Sequence, residues 1–219
     1  MSQEMIGFII DAFWQTLEMV FISGVIAVLI GLPLGVILFT TQKNQLLARP
    51  NLHRILAAIV NAMRSIPFII LMVAIIPLTR FIVGTSIGTI AAIVPLSLSA
   101  IPFFARLTET ALSEVSSGLI EASQAMGASP FQIIYKVLIP EALPNLVRSI
   151  TLMAVTLVGY SAMAGAVGGG GLGDLAIRYG YERFEVNVMI ITVVVLIALV
   201  QLMQYSGDWI AERISHFKN

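Results

Sequence analysis

Long apolar runs alternate with short polar segments along the whole chain. A helix that crosses a membrane needs roughly 20 mostly apolar residues, because lipid offers the backbone no hydrogen-bond partners. Runs of this length predict five spanning helices, at about Leu17 to Thr40, Ala57 to Leu78, Ile87 to Ala105, Asn145 to Met163 and Val186 to Tyr205. The pattern therefore predicts an all-α integral membrane protein with five transmembrane helices.

The composition indicates the same class. Of the 219 residues, 58% are hydrophobic and 11% are charged, whereas a soluble globular domain has about 25% charged residues. The formal net charge is zero, which gives no indication of a nucleic-acid partner, and the lack of cysteine excludes disulfides and thiolate chemistry. The length predicts a single transmembrane domain over residues 1–219. No basic region precedes the first apolar run, so we expect no cleaved signal peptide.

Basic residues are distributed unequally between the two sets of loops. Cytoplasmic loops hold the excess of Lys and Arg in multi-pass proteins. With the N-terminus outside, the outer segments hold three basic residues, Arg80, Arg178 and Arg183, while Arg64 falls inside the second span. The inner segments then hold eight: Lys43, Arg49, Arg54, Arg106, Lys136, Arg148, Arg213 and Lys218. This distribution predicts an N-out, C-in orientation, with the long loop of about residues 106–144 in the cytoplasm.

That loop contains a motif with fixed spacing. Glu121-Ala122-Ser123 is followed by Gly127, six positions after the glutamate, and then by Val137, Ile139 and Pro140. The arrangement resembles the EAA loop of the permeases of binding-protein-dependent ABC importers, in which Glu-Ala-Ala and Gly are followed by Ile-x-Leu-Pro. The resemblance implies a type I ABC importer permease fold and a loop that docks on a cytoplasmic ATPase subunit. The residues it implies in coupling are Glu121, Ala122, Ser123, Gly127, Ala128, Ser129, Pro130 and Pro140.

The local pattern within the loop predicts a helix, a sharp corner and a second helix. Apolar residues recur at helical spacing until the Gly127–Pro130 segment interrupts them. Ser129 suits an N-cap with Pro130 at the first helical position, so we predict a short helix from Phe131 to about Leu138 that Pro140 ends. Glycine is expected at the corner because a side chain would block either the turn or the close approach of a partner.

A cluster of glycines follows the fourth span: Gly165, Gly168, Gly169, Gly170, Gly171 and Gly173. Its Gly-x-Gly-x-x-Gly spacing matches the dinucleotide fingerprint, but that fingerprint has meaning only between a strand and a helix. No Lys-Ser or Lys-Thr pair follows to bind phosphate. Two interpretations remain open, a flexible outer linker and a tightly turned re-entrant segment whose backbone is buried by protein.

Polar residues within the spans are candidates for a translocation path, because polar groups are costly in lipid and usually face a protein interior or water. Ser149, Thr156, Tyr160 and Met163 lie seven, four and three residues apart, which places them on one helical face. This face either lines a path, with hydroxyls and a polarizable thioether for an amino acid, or packs against neighbouring helices.

Three further features concern the geometry of the spans. Arg64 either extends to the cytoplasmic headgroups or faces a central cavity and attracts a carboxylate. Pro67, which follows closely, favours a kink because it removes a backbone donor. Gly31 and Gly35 form a small-xxx-small pair that favours the close approach of another helix.

The available side chains argue against an enzyme. The two histidines, His53 and His216, do not belong to a zinc-binding His-Glu-x-x-His sequence. Ser161 lies in Gly-Tyr-Ser-Ala rather than in Gly-x-Ser-x-Gly. We therefore predict no catalytic and no metal-binding residue in this chain.

Other segments extend the resemblance to nearly the whole chain. They are similar to segments of the permeases of bacterial methionine uptake ABC transporters, and they comprise residues 64–70, 84–88, 119–123, 140–144 and 157–163. The resemblance implies an inner-membrane homodimer that moves methionine inward by alternating access. It also implies two cytoplasmic ATPase subunits, which bind ATP and Mg, and an extracytoplasmic methionine-binding lipoprotein, with no cofactor on this chain.

Three alternatives remain open. A permease for another amino acid has the same features, because the choice of cargo rests largely with a separate binding protein. An ATPase-independent carrier or channel would make the EAA-like motif a coincidence. A purely structural membrane subunit would show neither transport nor coupling to an ATPase.

Overall fold

Every regular segment is helical in the computed structural model, which describes residues 3–216. The α-helices, in chain order, are α1 (Gln3–Thr40), α2 (Pro50–Ser65), α3 (Phe68–Ala74), α4 (Ile76–Val83), α5 (Thr89–Ser113), α6 (Ser117–Ala125), α7 (Pro130–Ile133), α8 (Ile139–Gly165), α9 (Gly171–Leu175) and α10 (Val186–His216). Two π-helical turns, Ile134–Leu138 and Ala176–Tyr181, follow α7 and α9. Lys218, one of the predicted inner basic residues, lies outside the described part of the chain.

The apolar helices are long enough to cross a membrane. Within the described residues, four stretches qualify by length and composition: Glu4–Thr40, Thr89–Ser113, Pro130–Gly165 and Val186–Ser215. The pair of α2 and α3 also qualifies, but only when the two helices are taken together. The prediction of an all-α chain with several membrane-spanning helices is confirmed, and the described residues contain four candidate spans, or five if the bent pair is one span.

The second predicted span is broken. α2 ends at Ser65, and α3 leaves it at an angle of 97°. Pro67 explains the break because its ring disfavours a helical conformation of the preceding residue, and Ile66 is extended, with φ of −79° and ψ of 122°. The prediction of one continuous helix from Ala57 to Leu78 is therefore wrong, whereas the predicted kink at Pro67 is confirmed.

Helices α1 and α5 pack at very short range. A Cβ atom added to Gly31 would lie 2.9 Å from the Ile101 carbonyl oxygen, and one added to Gly35 would lie 2.5 Å from the Ala105 carbonyl oxygen. Because both oxygens belong to the backbone, a side chain cannot rotate away to make room. The predicted close approach at this small-residue pair is thus confirmed. The main core surrounds the contact and includes Met19, Leu96, Phe104, Met153 and Leu157.

The glycine-rich segment after α8 is a tightly packed turn, which decides between the two interpretations left open by the sequence. A Cβ atom added to Gly165 would lie 2.3 Å from the Asp174 amide nitrogen, and one added to Gly173 would lie 2.3 Å from the Ala162 carbonyl oxygen. α9 therefore packs directly against the last turn of α8. Three glycines of the turn have positive φ angles: Gly168, Gly170 and Gly171.

Polar side chains of α1 hold this turn in place. The Gly171 amide donates a hydrogen bond to Gln15 Oε1 at 2.8 Å, and the Leu172 amide donates one to Thr16 Oγ1 at 2.9 Å. Both acceptors precede the predicted start of the first span at Leu17, but α1 is already helical there. The predicted start is wrong. Polar residues interrupt the apolar pattern here, but the helix continues through them because their side chains have hydrogen-bond partners outside the helix.

Candidate functional site

The EAA-like loop, defined here as residues 114–138 between α5 and α8, rests on an apolar base. Residues 106–113 and 139–144, which the sequence assigns to the loop, belong to those two helices. Ile120 of α6 and Ile133 of α7 are buried in one cluster with Phe39, Leu112 and Leu146. The loop is therefore packed on the ends of α1, α5 and α8.

Gly127 forms the corner of the loop. Its φ angle is +81°, in the left-handed region that favours glycine. A Cβ atom added there would have no atom of this chain within 4 Å, so the backbone conformation, and not crowding within the chain, favours glycine. The Ala128 amide donates to the Ser123 carbonyl at 3.1 Å and completes the turn. The predicted sharp corner is confirmed, and close approach of a partner remains a prediction.

The second helix of the loop begins as the sequence predicts. The Gln132 amide donates to Ser129 Oγ at 3.4 Å, and the Ser129 amide donates to Gln132 Oε1 at 2.9 Å. This reciprocal pair is a capping box, which satisfies backbone donors that a helix start leaves free. Pro130 occupies the first turn, where its missing N–H costs nothing.

Pro140 does not end that helix, which corrects the sequence prediction. The chain continues from α7 through the π-helical turn Ile134–Leu138 into α8. Proline lacks the N–H of a regular helical hydrogen bond, and wider π-helical turns accommodate such irregularities. Leu138 and Ala142, on either side of the proline, are both buried in the loop's apolar base. Helical continuity therefore links the loop directly to α8.

The three motif residues have different environments. Glu121 and Ala122 are exposed, whereas Ser123 is buried, with 7% of its surface exposed. The Ser123 hydroxyl donates to the Leu119 carbonyl at 2.7 Å within α6. A small residue is needed at position 123 because it faces the chain itself, while the first two positions are available to another molecule.

Met126, Phe131 and Tyr135 lie on either side of the corner in the sequence, and we call these three exposed side chains the exposed apolar patch. Their exposed fractions are 81%, 76% and 66%, and the two aromatic rings lie parallel with centroids 6.5 Å apart. Large apolar side chains grouped on a polar loop indicate a protein interface. The sequence patterns did not predict this patch, although three large apolar residues flanking the Gly127 corner were a signal for it.

Two polar contacts connect the base of the loop to neighbouring elements. Glu109 is buried, accepts a hydrogen bond from Arg106 Nη1 at 2.6 Å and accepts another from Gln42 Nε2 at 2.7 Å. The bond from Gln42 joins the segment after α1 to α5. Asn145 of α8 donates to Glu114 at the end of α5. The ends of three helices are thus held together beside the loop, and the sequence patterns did not predict these contacts.

The candidate path residues on α8 lie on one uninterrupted helix. Ser149, Thr156 and Tyr160 are partly exposed, and Met163 is 49% exposed. The Tyr160 ring stacks on Phe68 of α3, with centroids 4.6 Å apart and an angle of 1° between the planes. This stacking joins the candidate face of α8 to the helix that follows the break in the second span.

Arg64 lies immediately before that break. Its side chain is exposed, and its Cζ atom lies 5.8 Å from the centroid of the Phe103 ring. Phe103 is ten residues before the end of α5, so the charge lies beside an apolar span and not beyond its end. Arg64 is therefore close in sequence to Phe68, whose ring stacks on Tyr160, and it is close in space to α5.

Charged residues at the opposite end of the molecule are also paired. Asp174 and Arg178 form an ion pair one helical turn apart. The hydrogen bond with Asp174, followed by its charge, raises the pKa of the Arg178 guanidinium. Arg183 Cζ lies 4.5 Å from the Tyr179 ring centroid. Among residues 3–216, no three acidic or histidine side chains are grouped to hold a metal ion.

The family model for the "binding-protein-dependent transport system inner membrane component" matches residues 31–216. The chain belongs to this family. The match spans the EAA-like loop and the helices on both sides of it, so the resemblance drawn from the loop motif is confirmed. This permease is a multi-pass inner-membrane component of an ABC importer, and it is a transport subunit, not an enzyme.

Curated relatives are similar over most of their length. A probable D-methionine transport system permease protein MetI of Vibrio cholerae is 60% identical over 208 residues, which are 95% of this chain and 92% of the relative. The corresponding protein of Pasteurella multocida is 52% identical over 92% of this chain and 93% of its own. The D-methionine transport system permease protein MetI of Escherichia coli K12 is 57% identical over 75% of this chain and 76% of its own.

Solved structures agree with the permease fold. A chain of the MetNI methionine ABC transporter in inward facing conformations superposes with a TM-score of 0.96 at 54% identity, covering 98% of this permease and 99% of that chain. A chain of an amino acid ABC transporter with histidines superposes with a TM-score of 0.78 at 17% identity, covering 94% of each. The second match supports the fold alone.

Proposed function

We propose that this permease is the transmembrane subunit of an ATP-driven importer for methionine, with five spans in an N-out, C-in orientation. The cargo is inferred from relatives that are named for D-methionine transport and from a 54% identical chain of a methionine ABC transporter. The observation that supports the ATP-driven mechanism most directly is the EAA-like loop, whose Gly127 corner and exposed apolar patch form a surface for another protein.

The proposed partner at that surface is a cytoplasmic ATPase subunit. Met126, Phe131 and Tyr135 supply the apolar contact, and the exposed Glu121 and Ala122 lie on the helix that leads to the corner. The remaining proposed coupling residues shape the corner and its helix: Ser123, Gly127, Ala128, Ser129, Pro130 and Pro140. ATP and Mg would bind to the ATPase subunit, and this chain would transmit its movement.

Transmission follows from how the loop is anchored. Its apolar base includes residues of α1, α5 and α8, so a displacement of the loop moves these helix ends together. Breaks at Ile66 and Ile75 divide the second span into short helices, and such element ends are suitable hinges. Two copies of the permease would enclose the path, which opens outward to receive the amino acid from an extracytoplasmic binding lipoprotein.

The proposed path uses the exposed face of α8 and the neighbouring charge. Ser149 and Thr156 offer hydroxyl groups, Tyr160 and Met163 offer an aromatic ring and a polarizable thioether, and Arg64 offers a cation for a carboxylate. This combination of groups suits an amino acid with an apolar side chain. The face is partly exposed in the single chain, as a surface that lies opposite a second copy must be.

Reconstitution of the complete transporter tests the cargo. We expect proteoliposomes that contain the permease, its ATPase and its binding protein to accumulate labelled methionine only with ATP, and we expect excess unlabelled methionine to compete. Competition by a different amino acid alone would assign another cargo. Uptake that survives ATP depletion and follows an ion gradient would support an ATPase-independent carrier.

Removal of an aromatic ring from the exposed apolar patch should weaken ATPase binding. Truncation of a central aromatic side chain in an interface costs about 2 kcal/mol or more, which is roughly thirtyfold in affinity. We therefore expect Phe131→Ala to raise the dissociation constant of the ATPase subunit by that order. Phe184→Ala is the matched control, because Phe184 is 82% exposed but lies in the segment between the Ala176–Tyr181 turn and α10. Equal binding by the two variants would contradict docking at the patch.

A further inference from the structure

An apolar groove lies between α1, α8 and α10. α1 lines it from Leu17 to Leu29, α8 lines it from Ile150 to Ala154, and α10 contributes Met203. Every side chain that lines the groove is apolar. Its rim on α1 is open to the surroundings, since Phe21 is 73% exposed and Leu29 is 68% exposed. We call this feature the interhelical groove.

The packing of the chain keeps the interhelical groove open. α10 is seated on α8, because Gly207 leaves no room for a Cβ atom against Thr151. α1 is held on α5 by the close contacts at Gly31 and Gly35. The N-terminal parts of α1 and α10 share a buried cluster with Leu172 of α9. The two helices are therefore fixed on either side of the groove, and a small shift does not close it.

Gly24 deepens the groove, although packing within the chain does not require glycine there. A Cβ atom added to Gly24 would lie 3.8 Å from Leu157 Cδ1 and 3.8 Å from Met153 Cε, which are ordinary van der Waals distances. Glycine destabilises a helix relative to alanine, and alanine would fit at this position. The missing side chain thus leaves space for a group from outside the chain.

The dimensions of the groove fit an unbranched hydrocarbon chain. The stretch of α1 from Leu17 to Leu29 is about 18 Å long, at about 1.5 Å per residue. The open space is about 850 Å³ up to the mouth of the groove, which over that length gives a mean width of about 8 Å. An α-helix with its side chains is about 10–12 Å across and does not fit inside, whereas carbon atoms touch at about 4 Å. In a membrane, the hydrocarbon chains available to this groove are the acyl chains of lipids.

One face of α10 leads from the groove to a cation. Met203, Ser206, Ile210 and Arg213 follow each other at intervals of three, four and three residues, which places them on one side of the helix. The Ser206 hydroxyl donates to the Leu202 carbonyl at 2.6 Å, so its polar group is satisfied within the helix. Met203 and Arg213 lie about 15 Å apart along the helix, which is half of the roughly 30 Å thickness of the hydrocarbon core. One acyl chain therefore spans the distance from Arg213 to the groove.

Arg213 is suited to bind the phosphate of a lipid. Its side chain is exposed, and its Cζ atom lies 5.1 Å from the centroid of the Trp209 ring. Trp209 is 51% exposed, and tryptophan is enriched where membrane meets water. Arginine binds phosphate through several N–H groups at once. Arg213 forms no ion pair within residues 3–216, so its guanidinium is available to a ligand.

We propose that the interhelical groove holds one acyl chain of a membrane phospholipid whose phosphate binds Arg213. The lipid belongs to the leaflet at the C-terminal end of α10, which is the cytoplasmic leaflet in the proposed orientation. The acyl chain supplies the van der Waals contact that α1 and α10 do not make with each other along the groove. The site depends on the membrane location of the permease and not on its cargo, so the inference goes beyond the proposed function.

Photolabelling of the complete transporter tests the site. The transporter is purified in a maltoside detergent, which has no phosphate, and its lipids are removed. Phosphatidylglycerol that carries a diazirine at the end of one acyl chain is then added and irradiated, and the labelled residues are mapped by mass spectrometry. We expect label at Met203 in the groove to exceed label at Ile190, which is 56% exposed on the same helix but does not line the groove.

Filling the groove should remove the acyl chain. We expect Gly24→Leu to reduce the labelling of Met203 by about tenfold or more, because the leucine side chain occupies the space of the lipid. Gly7→Leu is the matched control, since it makes the same substitution on the same helix at a position where an added Cβ atom meets nothing within 4 Å. The control should label like the wild type, and equal labelling of both variants would contradict a chain bound at Gly24.

Removal of the cation should weaken the same labelling. We expect Arg213→Gln to reduce it by about fivefold, which corresponds to the roughly 1 kcal/mol that one basic residue contributes near a membrane surface. Arg183→Gln is the matched control, because Arg183 also lies over an aromatic ring, that of Tyr179, but at the opposite end of the molecule. An equal effect of the two substitutions would overturn the assignment of the phosphate to Arg213.

Competition in the wild type tests the proposal without any variant. Unlabelled phosphatidylglycerol should compete for the labelling of Met203, and diacylglycerol with the same acyl chains should compete about fivefold less well. Equal competition by the two lipids would overturn the headgroup contact. Equal labelling of Met203 and Ile190 would indicate ordinary boundary lipid, and no labelling of the groove would indicate that another protein surface covers it. Either result would overturn the proposal, whereas a different transported amino acid would leave it intact.

Discussion

Replacement of Gly127 by aspartate will reduce ATP-dependent uptake by at least about tenfold while the permease remains in the membrane. An unpaired charge in a protein contact costs more than the 1.4 kcal/mol that corresponds to a tenfold change. The fold should tolerate the variant, because a Cβ atom at this position meets nothing within 4 Å. Aspartate also enters the left-handed conformation, here at φ of +81°, more readily than most residues.

Gly127→Asn is the matched control for this substitution. Asparagine has nearly the shape of aspartate and the same tolerance of a left-handed backbone, but it has no charge. We expect its uptake to fall between those of the wild type and the Asp variant. Uptake, ATPase retention and the amount of permease in the membrane are measured together. Normal uptake by the Asp variant would exclude docking at the corner, and equal losses in both variants would assign the effect to side-chain bulk or backbone strain and not to charge.

Local chemistry explains why the corner was predictable from the sequence. The capping box of Ser129 and Gln132 lies within one helical turn, and a positive φ angle at Gly127 depends on the chain immediately around it. Such signals operate over three or four residues, which a sequence displays directly. Pro140 was ambiguous because proline occurs after helix ends and also in first turns. Burial of Leu138 and Ala142 in one cluster favours continuity, and no local pattern reports that burial.

Contacts between distant residues account for the features that the sequence left open. The glycine-rich turn is held by Gln15 and Thr16, which are 156 positions away from the amides that they bind. The direction of the second span was also hidden, because apolar periodicity gives the length of a helix and not the angle between consecutive helices. Pro67 predicted a bend, and the packing of both α2 and α3 against α5 sets its size.

The exposed apolar patch illustrates a different limit. A sequence pattern assigns large apolar residues to a core, since most are buried in folded proteins. Phe131 and Tyr135 contradict that expectation because both are exposed in the single chain, and in the proposed complex an ATPase subunit would cover them. The proposed path residues present the same difficulty, because the proposed path lies between two copies and is absent from any single chain. The sequence predicted that these residues share one face of a helix, but it could not predict which side chains lie opposite that face.

The tight turn after α8 leads to a second large expected effect, on stability. A Cβ atom at Gly173 would lie 2.3 Å from the Ala162 carbonyl oxygen and 2.4 Å from its Cα atom. Both atoms belong to the backbone, so the steric clash is relieved only if α9 moves away from α8. Overpacking of this kind costs about 1–3 kcal/mol, occasionally more, out of a total stability of about 5–15 kcal/mol. We therefore expect Gly173→Ala to lower the thermal unfolding midpoint of the purified transporter by several degrees and to reduce its yield.

Gly7→Ala distinguishes this steric cause from a general effect of adding a methyl group. Gly7 is helical, and an added Cβ atom there meets nothing within 4 Å. The unfolding midpoint of the Gly7→Ala variant should therefore stay the same or rise, because alanine stabilises a helix by up to about 1 kcal/mol relative to glycine. If Gly173→Ala unfolds at the wild-type temperature, the segment is an open linker after all. A lowered midpoint that appears only at Gly173 means that α9 is locked to α8, so any outward opening must carry both helices together.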